Sequence, residues 1–110
     1  MKRRPLTYLI SDGSTKNGNG ASLVRLAEAA VKARISYFQI REKHLTAREL
    51  FELTRQVTSV TENSETRVLV NDRIDVALAA GADGVHLTET SIPVDQVRRG
   101  MGRRLLVGVS

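Results

Sequence analysis

Short apolar runs alternate with helix-period segments along the whole chain, and few folds accept that alternation. Leu6 to Ile10 reads as a strand, followed by a polar, glycine-rich loop from Ser11 to Gly20. Ser22 is placed to cap a helix with Leu23, Leu26, Ala27, Ala30 and Val31 on one face. Tyr37 to Ile40 reads as the second strand. Thr46 and Glu49 form a capping box, and Leu50, Leu53, Val57 and Val60 continue that helix to about Asn63. Arg67 to Val70 is a third strand whose successive apolar residues suit burial on both faces. Ile74 to Ala80 reads as a short helix that Gly81 ends in a left-handed cap, and Gly84 to Leu87 as the fourth strand. Pro93 suits the first turn of a helix with Val94 and Val97 inward, broken at Gly100 and Gly102. Leu105 to Val109 is the fifth strand.

The order βαβαβαβαβ predicts a parallel sheet with right-handed crossovers, an α/β class. Two architectures accept it. One is an open, doubly wound, five-stranded sheet of flavodoxin type. The other is the first part of a (β/α)8 TIM-type barrel, which needs about 200 residues or more. Periodicity does not choose between them. Within 110 residues there is no interdomain linker, so residues 1–110 read as a single domain.

Composition removes several function classes. Cysteine is absent, which excludes disulfides and thiolate metal sites. No apolar run approaches the roughly 18 residues of a membrane span. Met1-Lys2-Arg3-Arg4 is basic like a signal start, but Pro5 to Ile10 is too short for its apolar region, so a cytoplasmic protein is expected. The net charge is +5. The basic residues are dispersed and only four aromatics are present (Tyr 2, Phe 2), which argues against nucleic acid as a partner. A basic surface of this kind is either merely solvated or attracts phosphorylated metabolites.

Two polar clusters stand at strand ends. Gln39, Arg41 and Lys43 alternate, and in extended backbone they project to one side. One amide and two cations in a row make a poor core and a good holder of a polyanion. Asn71-Asp72-Arg73 closes the next apolar run. Parallel α/β folds keep their chemistry at the carboxyl ends of strands.

Tyr8-Leu9-Ile10-Ser11-Asp12, Gln39-Ile40-Arg41-Glu42-Lys43, Val70-Asn71-Asp72-Arg73, Gly81-Ala82-Asp83-Gly84-Val85-His86-Leu87 and Gly108-Val109-Ser110 occur in an order and spacing that resembles the thiamine-phosphate synthase family. The resemblance covers essentially the whole chain and implies the first five strands and four helices of that family's (β/α)8 barrel. It implies a transferase of thiamine biosynthesis that joins hydroxymethylpyrimidine diphosphate to thiazole phosphate, releasing diphosphate. It places the diphosphate on Gln39, Arg41, Lys43 and Asn71, with Ser110 in the same pocket and Mg2+ on Asp72. No catalytic acid or base is assigned, and a homodimer is carried as an open expectation. The family's second Mg2+ carboxylate falls on Ser91, a neutral and weaker ligand, with Glu89 nearby. A thiazole tautomerase is the rival enzyme, and a non-catalytic chain that binds a phosphorylated metabolite is the rival outside enzymology.

Blander roles stand beside these. Arg41 and Lys43 also suit pairing with Glu42 and the acidic residues of the following helix. Asp72 also suits capping the helix near Ile74. His86, inside an apolar strand, is expected to be buried and hydrogen-bonded. His44 reads as a loop residue, Asp12 as structural, Asp83 as a turn residue, and Gly18-Asn19-Gly20 as a flexible turn.

Overall fold

The computed structural model describes residues 5–13, 20–89, 91–101 and 105–109. Its elements are β1 Tyr8–Ile10, α1 Ala21–Lys32, β2 Tyr37–Ile40, α2 Ala47–Thr61, β3 Arg67–Asn71, α3 Ile74–Ala80, β4 Gly84–Leu87, α4 Val94–Met101 and β5 Leu106–Val109. The five strands lie side by side in the order β1-β2-β3-β4-β5, and every neighbouring pair is parallel.

That order separates the two architectures. A flavodoxin-type sheet reverses direction at its first strand, in the order 2-1-3-4-5, and carries helices on both faces. Here the order never reverses. Phe38, Ile40, Val68, Val70, Val85 and Leu87 share one face and form a single core with Leu23, Ala27, Leu53, Val57 and Ala77 of the helices. The register keeps that face continuous, with Phe38 beside Val68, Ile40 beside Val70, and Val70 beside Val85. The sheet is open, as in the flavodoxin alternative, but its order and its one-sided helices are those of a barrel wall.

Curvature supports the same conclusion. In a flat sheet four inter-strand steps would hold β1 and β5 about 19 Å apart, at roughly 4.8 Å each. The Tyr8 hydroxyl of β1 nonetheless lies 3.6 Å from where a Cβ on Gly108 of β5 would sit. The sheet therefore curls away from its helices. Its concave face carries Tyr8 stacked on Tyr37, with ring centroids 4.9 Å apart, and then Gln39, Asn71 and His86.

Local signals explain most element ends. Thr46 Oγ1 accepts from the Glu49 amide at 3.1 Å, and the Thr46 amide donates to Glu49 Oε1 at 2.9 Å. These bonds to Thr46 hold the Glu49 carboxyl below the usual carboxylate range. Gly81 ends α3 at φ 76°, a left-handed conformation that only glycine adopts freely.

Other ends differ from the sequence expectation. Ser22 does not cap α1: Gly20 holds that position without a side-chain bond, and Ser22 lies exposed within the first turn. Leu26 of the same helix is exposed. β3 runs one residue further, to Asn71. Pro93 precedes α4, its carbonyl accepting from the Gln96 and Val97 amides. Val97 is buried but Val94 is 39% exposed. Gly100 lies inside α4, and Gly102 is outside the described residues. Among the described residues no helix is long and apolar enough to cross a membrane.

Candidate active site

Two polar side chains interrupt an otherwise apolar sheet interior near its carboxyl end. Gln39 is 2% exposed and Asn71 is 9% exposed. Burying amides costs free energy unless they find partners. Here Asn71 Nδ2 donates to Gln39 Oε1 at 3.3 Å, diagonally across β2 and β3. Such a pair makes a rigid polar floor.

Above the floor the chain leaves the sheet. β2 ends at Ile40, so strict strand alternation does not reach Lys43 as the sequence pattern suggests. Arg41 and Lys43 are both exposed, and Glu42 between them is buried. The expected pairing of these cations with Glu42 does not occur. Glu42 Oε2 instead accepts from Ser11 Oγ at 2.7 Å and from the Gly13 amide at 2.8 Å. Among the described residues neither Arg41 nor Lys43 forms an ion pair.

Two cavities meet at Lys43. One, of about 250 Å³, is lined by Lys43, Glu42, Asn71, Asp72, Arg73 and Thr88, over an apolar base that includes Ile40 and Leu50. The other, of about 240 Å³, is lined by Ser11, Asp12, Gly13, Arg41, Lys43 and His44. The structure thus brings Lys43, Asn71 and Asp72 together and places Arg41 next door, while Gln39 lines neither cavity and is joined to the site only through its bond with Asn71. Ser110 is outside the described residues, as are Gly18 and Asn19.

Asp72 has an uncommon backbone, at φ 64°. Its amide donates to the His86 carbonyl at 2.8 Å, tying β3's end to β4. Asp72 does not cap α3. Arg73 occupies the capping position with no side-chain cap bond, because the left-handed turn at Asp72 intervenes. The Arg73 guanidinium forks onto Asp75 at 3.1 and 2.8 Å. That hydrogen bonding holds the Asp75 carboxyl below the usual carboxylate range. Arg73 is thus paired mainly with Asp75, and it lines the cavity together with Lys43 and Asp72.

Ser91 is engaged elsewhere. Its Oγ accepts from the Thr88 amide at 2.9 Å and lies 3.3 Å from Thr88 Oγ1, closing the turn after β4. Glu89 is exposed and does not line the cavity with Asp72. Among the described residues no group of three histidines and carboxylates gathers as a metal-binding cluster. His86 departs from expectation: it is half-buried, and its Nδ1 is buried with no hydrogen-bond partner among the described residues. Asp83 lies in the turn between α3 and β4, as expected. Its Oδ2 accepts from the Val68 amide at 2.7 Å, and Oδ1 is 3.8 Å from Arg67. Sequence reasoning missed Ser11 and Thr88 as lining residues and Glu42 as a buried acceptor. A signal for Glu42 was present, since an acid between two cations has the opposite strand parity.

Five parallel strands in sequential order, helices on one face and a cation-flanked cavity at the strands' carboxyl ends define a (β/α)-barrel wall with its site in the usual place. Residues 7–110 match the family model described as thiamine monophosphate synthase, and the chain belongs to that family. It is 40% identical over 103 residues to the thiamine-phosphate synthase of Clostridium novyi, which spans 94% of this chain and 50% of that protein. It is 38% identical over 111 positions to the thiamine-phosphate synthase of Caldanaerobacter subterraneus, covering 100% of this chain and 51% of the relative. The solved thiamine phosphate pyrophosphorylase from Pyrococcus furiosus superimposes with a TM-score of 0.78 at 26% identity, over 94% of this chain and 48% of that one. The chain spans about half the length of the curated relatives it matches.

Proposed function

We propose that residues 1–110 supply the pyrimidine-diphosphate side of a thiamine-phosphate synthase-type active site, as the N-terminal five strands of its barrel. The observation that carries this reading is the convergence of Lys43, Asn71 and Asp72 on one cavity, with Arg41 alongside and unpaired among the described residues. The reaction would transfer hydroxymethylpyrimidine from its diphosphate to thiazole phosphate. As the C–O bond breaks, charge accumulates on the departing diphosphate and the pyrimidine methylene becomes cation-like. Arg41 and Lys43 are fixed charges at the place where that negative charge grows, so they stabilise the transition state more than the ground state. Asn71 offers an amide on the cavity, held by its bond to Gln39, and Ser110 would line the same pocket. Substrates this charged do not cross membranes unaided, in keeping with a cytoplasmic enzyme.

Mg2+ belongs to the same proposal. Asp72 offers a carboxylate and Thr88 a hydroxyl on one cavity. One carboxylate suits an ion that keeps waters and takes its remaining ligands from substrate phosphates. The ion, when bound, would neutralise charge on the diphosphate. Ser91 adds little, because its hydroxyl is engaged by Thr88. Ser91→Asp should therefore lower the Mg2+ concentration needed for activity.

The test is thiamine phosphate formation against Mg2+ concentration, in a barrel completed with the remaining strands, for the natural chain and for Ser91→Asp. Product that rises with Mg2+, at lower concentrations in Ser91→Asp, supports the reading. No product at any Mg2+ concentration, with metal-free conversion of a thiazole tautomer, would establish the tautomerase instead. Diphosphate binding without either reaction would leave a non-catalytic metabolite-binding chain.

A further inference from the structure

We propose that Glu42 is a positioning residue, clamping the first strand–helix loop onto the second so that Arg41 and Lys43 are held for an anion. The inference rests on the diphosphate reading of the site and adds a residue that reading does not use.

Four hydrogen bonds tie the segment after β1 to the end of β2 and the loop that follows it. The Ser11 amide donates to the Gln39 carbonyl at 2.9 Å, and the Arg41 amide donates to Ser11 Oγ at 2.8 Å. Ser11 Oγ in turn donates to Glu42 Oε2 at 2.7 Å, and the Gly13 amide donates to the same oxygen at 2.8 Å. Ser11 and Glu42 are each 3% exposed, so the bond between their side chains is sheltered from competing water, and the bonds from the Gly13 and Arg41 amides are partly so. Bonds to an ionised carboxylate are roughly twice as strong as neutral ones. Glu42 therefore anchors the backbone on either side of a cavity whose walls are Ser11, Asp12, Gly13, Arg41, Lys43 and His44.

Chain geometry explains why the anchor lies between the cations. β2 has ended at Ile40, and sheet pairing no longer fixes side-chain direction. Glu42 turns inward there, and its two neighbours remain exposed. A carboxylate beside an anion site is electrostatically unfavourable in itself. It suits the site only if the order it imposes on the cations outweighs the repulsion it adds.

That opposition supplies the test. Simple Coulomb reasoning says that removing Glu42 should tighten anion binding, whereas the clamp says that it should weaken it. The measurement is calorimetric titration of the full 110-residue chain with inorganic diphosphate, for the natural protein, Glu42→Ala and Ser11→Ala. Hydrogen exchange of the Gly13 and Arg41 amides is followed in parallel. Expected is a loss of affinity on the order of tenfold, the size of one lost bond to a charged group, with faster exchange at both amides. Ser11→Ala keeps the carboxylate and should weaken binding in the same direction, which preserves the test if Glu42→Ala fails to fold. A purely structural role would lower the melting temperature and leave the affinity of the folded protein unchanged, and that result overturns the proposal. Tighter binding overturns it as well. If the natural chain binds no diphosphate, the functional reading fails by itself. Amide exchange then decides the clamp: equal rates in natural and variant chains refute it, and faster rates in the variants uphold it.

Discussion

The two ends of the sheet handle charge in opposite ways. At the amino end Arg67 lies 3.8 Å from Asp83, whose other oxygen accepts the Val68 amide at 2.7 Å. Thr66 Oγ1, at the same end, donates to the Ile35 carbonyl at 2.8 Å. There each polar group is consumed in joining one element to the next. At the carboxyl end Arg41 and Lys43 form no ion pair among the described residues, and the acid between them, Glu42, is turned to Ser11 and Gly13. A cation with a built-in partner stabilises the fold. A cation whose neighbouring acid has been turned aside retains its field for a ligand. The same residue types thus do different work at the two poles, and local pairing is what separates them.

The comparison needs the sheet to exist as a single body, and there the largest effect is expected. β1 and β5 each have one neighbour, and Tyr8, Ile10, Leu106 and Val109 are exposed on them. Bare edges of this kind recruit further strands. The 110-residue chain alone should sediment as dimers or larger species, and a monodisperse monomer in ultracentrifugation would refute this.

Next comes Arg41→Ala, which should weaken diphosphate binding in a completed barrel by about 1.5–3 kcal/mol while the melting temperature stays put. Arg41→Lys should also be damaging, because it loses the planar fork. Unchanged affinity in calorimetry would remove Arg41 from the site.

Asp83→Ala is the mirror experiment. It orphans the Val68 amide and should cost about 1–3 kcal/mol of stability with no change in diphosphate affinity. A change in affinity per folded molecule would blur the two poles. Thr46→Ala, which removes the cap of α2, should cost about 1 kcal/mol in denaturant unfolding.

The smallest effect concerns pH. Asp75 has its carboxyl lowered in the folded state by Arg73. A depressed acid contributes stability above its ordinary value of 3.8, lost as pH falls through the lower folded value. Both side chains are substantially exposed, so the pair is worth less than about 1 kcal/mol. Asp75→Asn should flatten the stability profile slightly below pH 4, and an unaltered profile would show the pair to be inert.

Element positions were legible in the sequence because they depend on local pattern. β2, α3 and β4 fall where their apolar runs and the left-handed Gly81 place them. The Thr46–Glu49 box acts over three residues and forms as written. The cap at Ser22 failed because the chain enters α1 at Gly20, where a side chain would run into Leu53 of α2, a contact distant in sequence. Val94 failed because α4, among its described side chains, turns Val97 alone onto the core.

The polar pairs at the strand ends were also legible, since Gln39 and Asn71 interrupt apolar runs and Arg41 and Lys43 follow directly. Their arrangement was not. That the strands run in sequential order, that the sheet curls until Tyr8 approaches Gly108, and that Glu42 reaches across to Ser11 all depend on residues distant in sequence. Periodicity reports which face of an element is apolar, a property of adjacent residues. Only tertiary packing decides which elements become neighbours, and so which cations keep their partners and which are left for an anion.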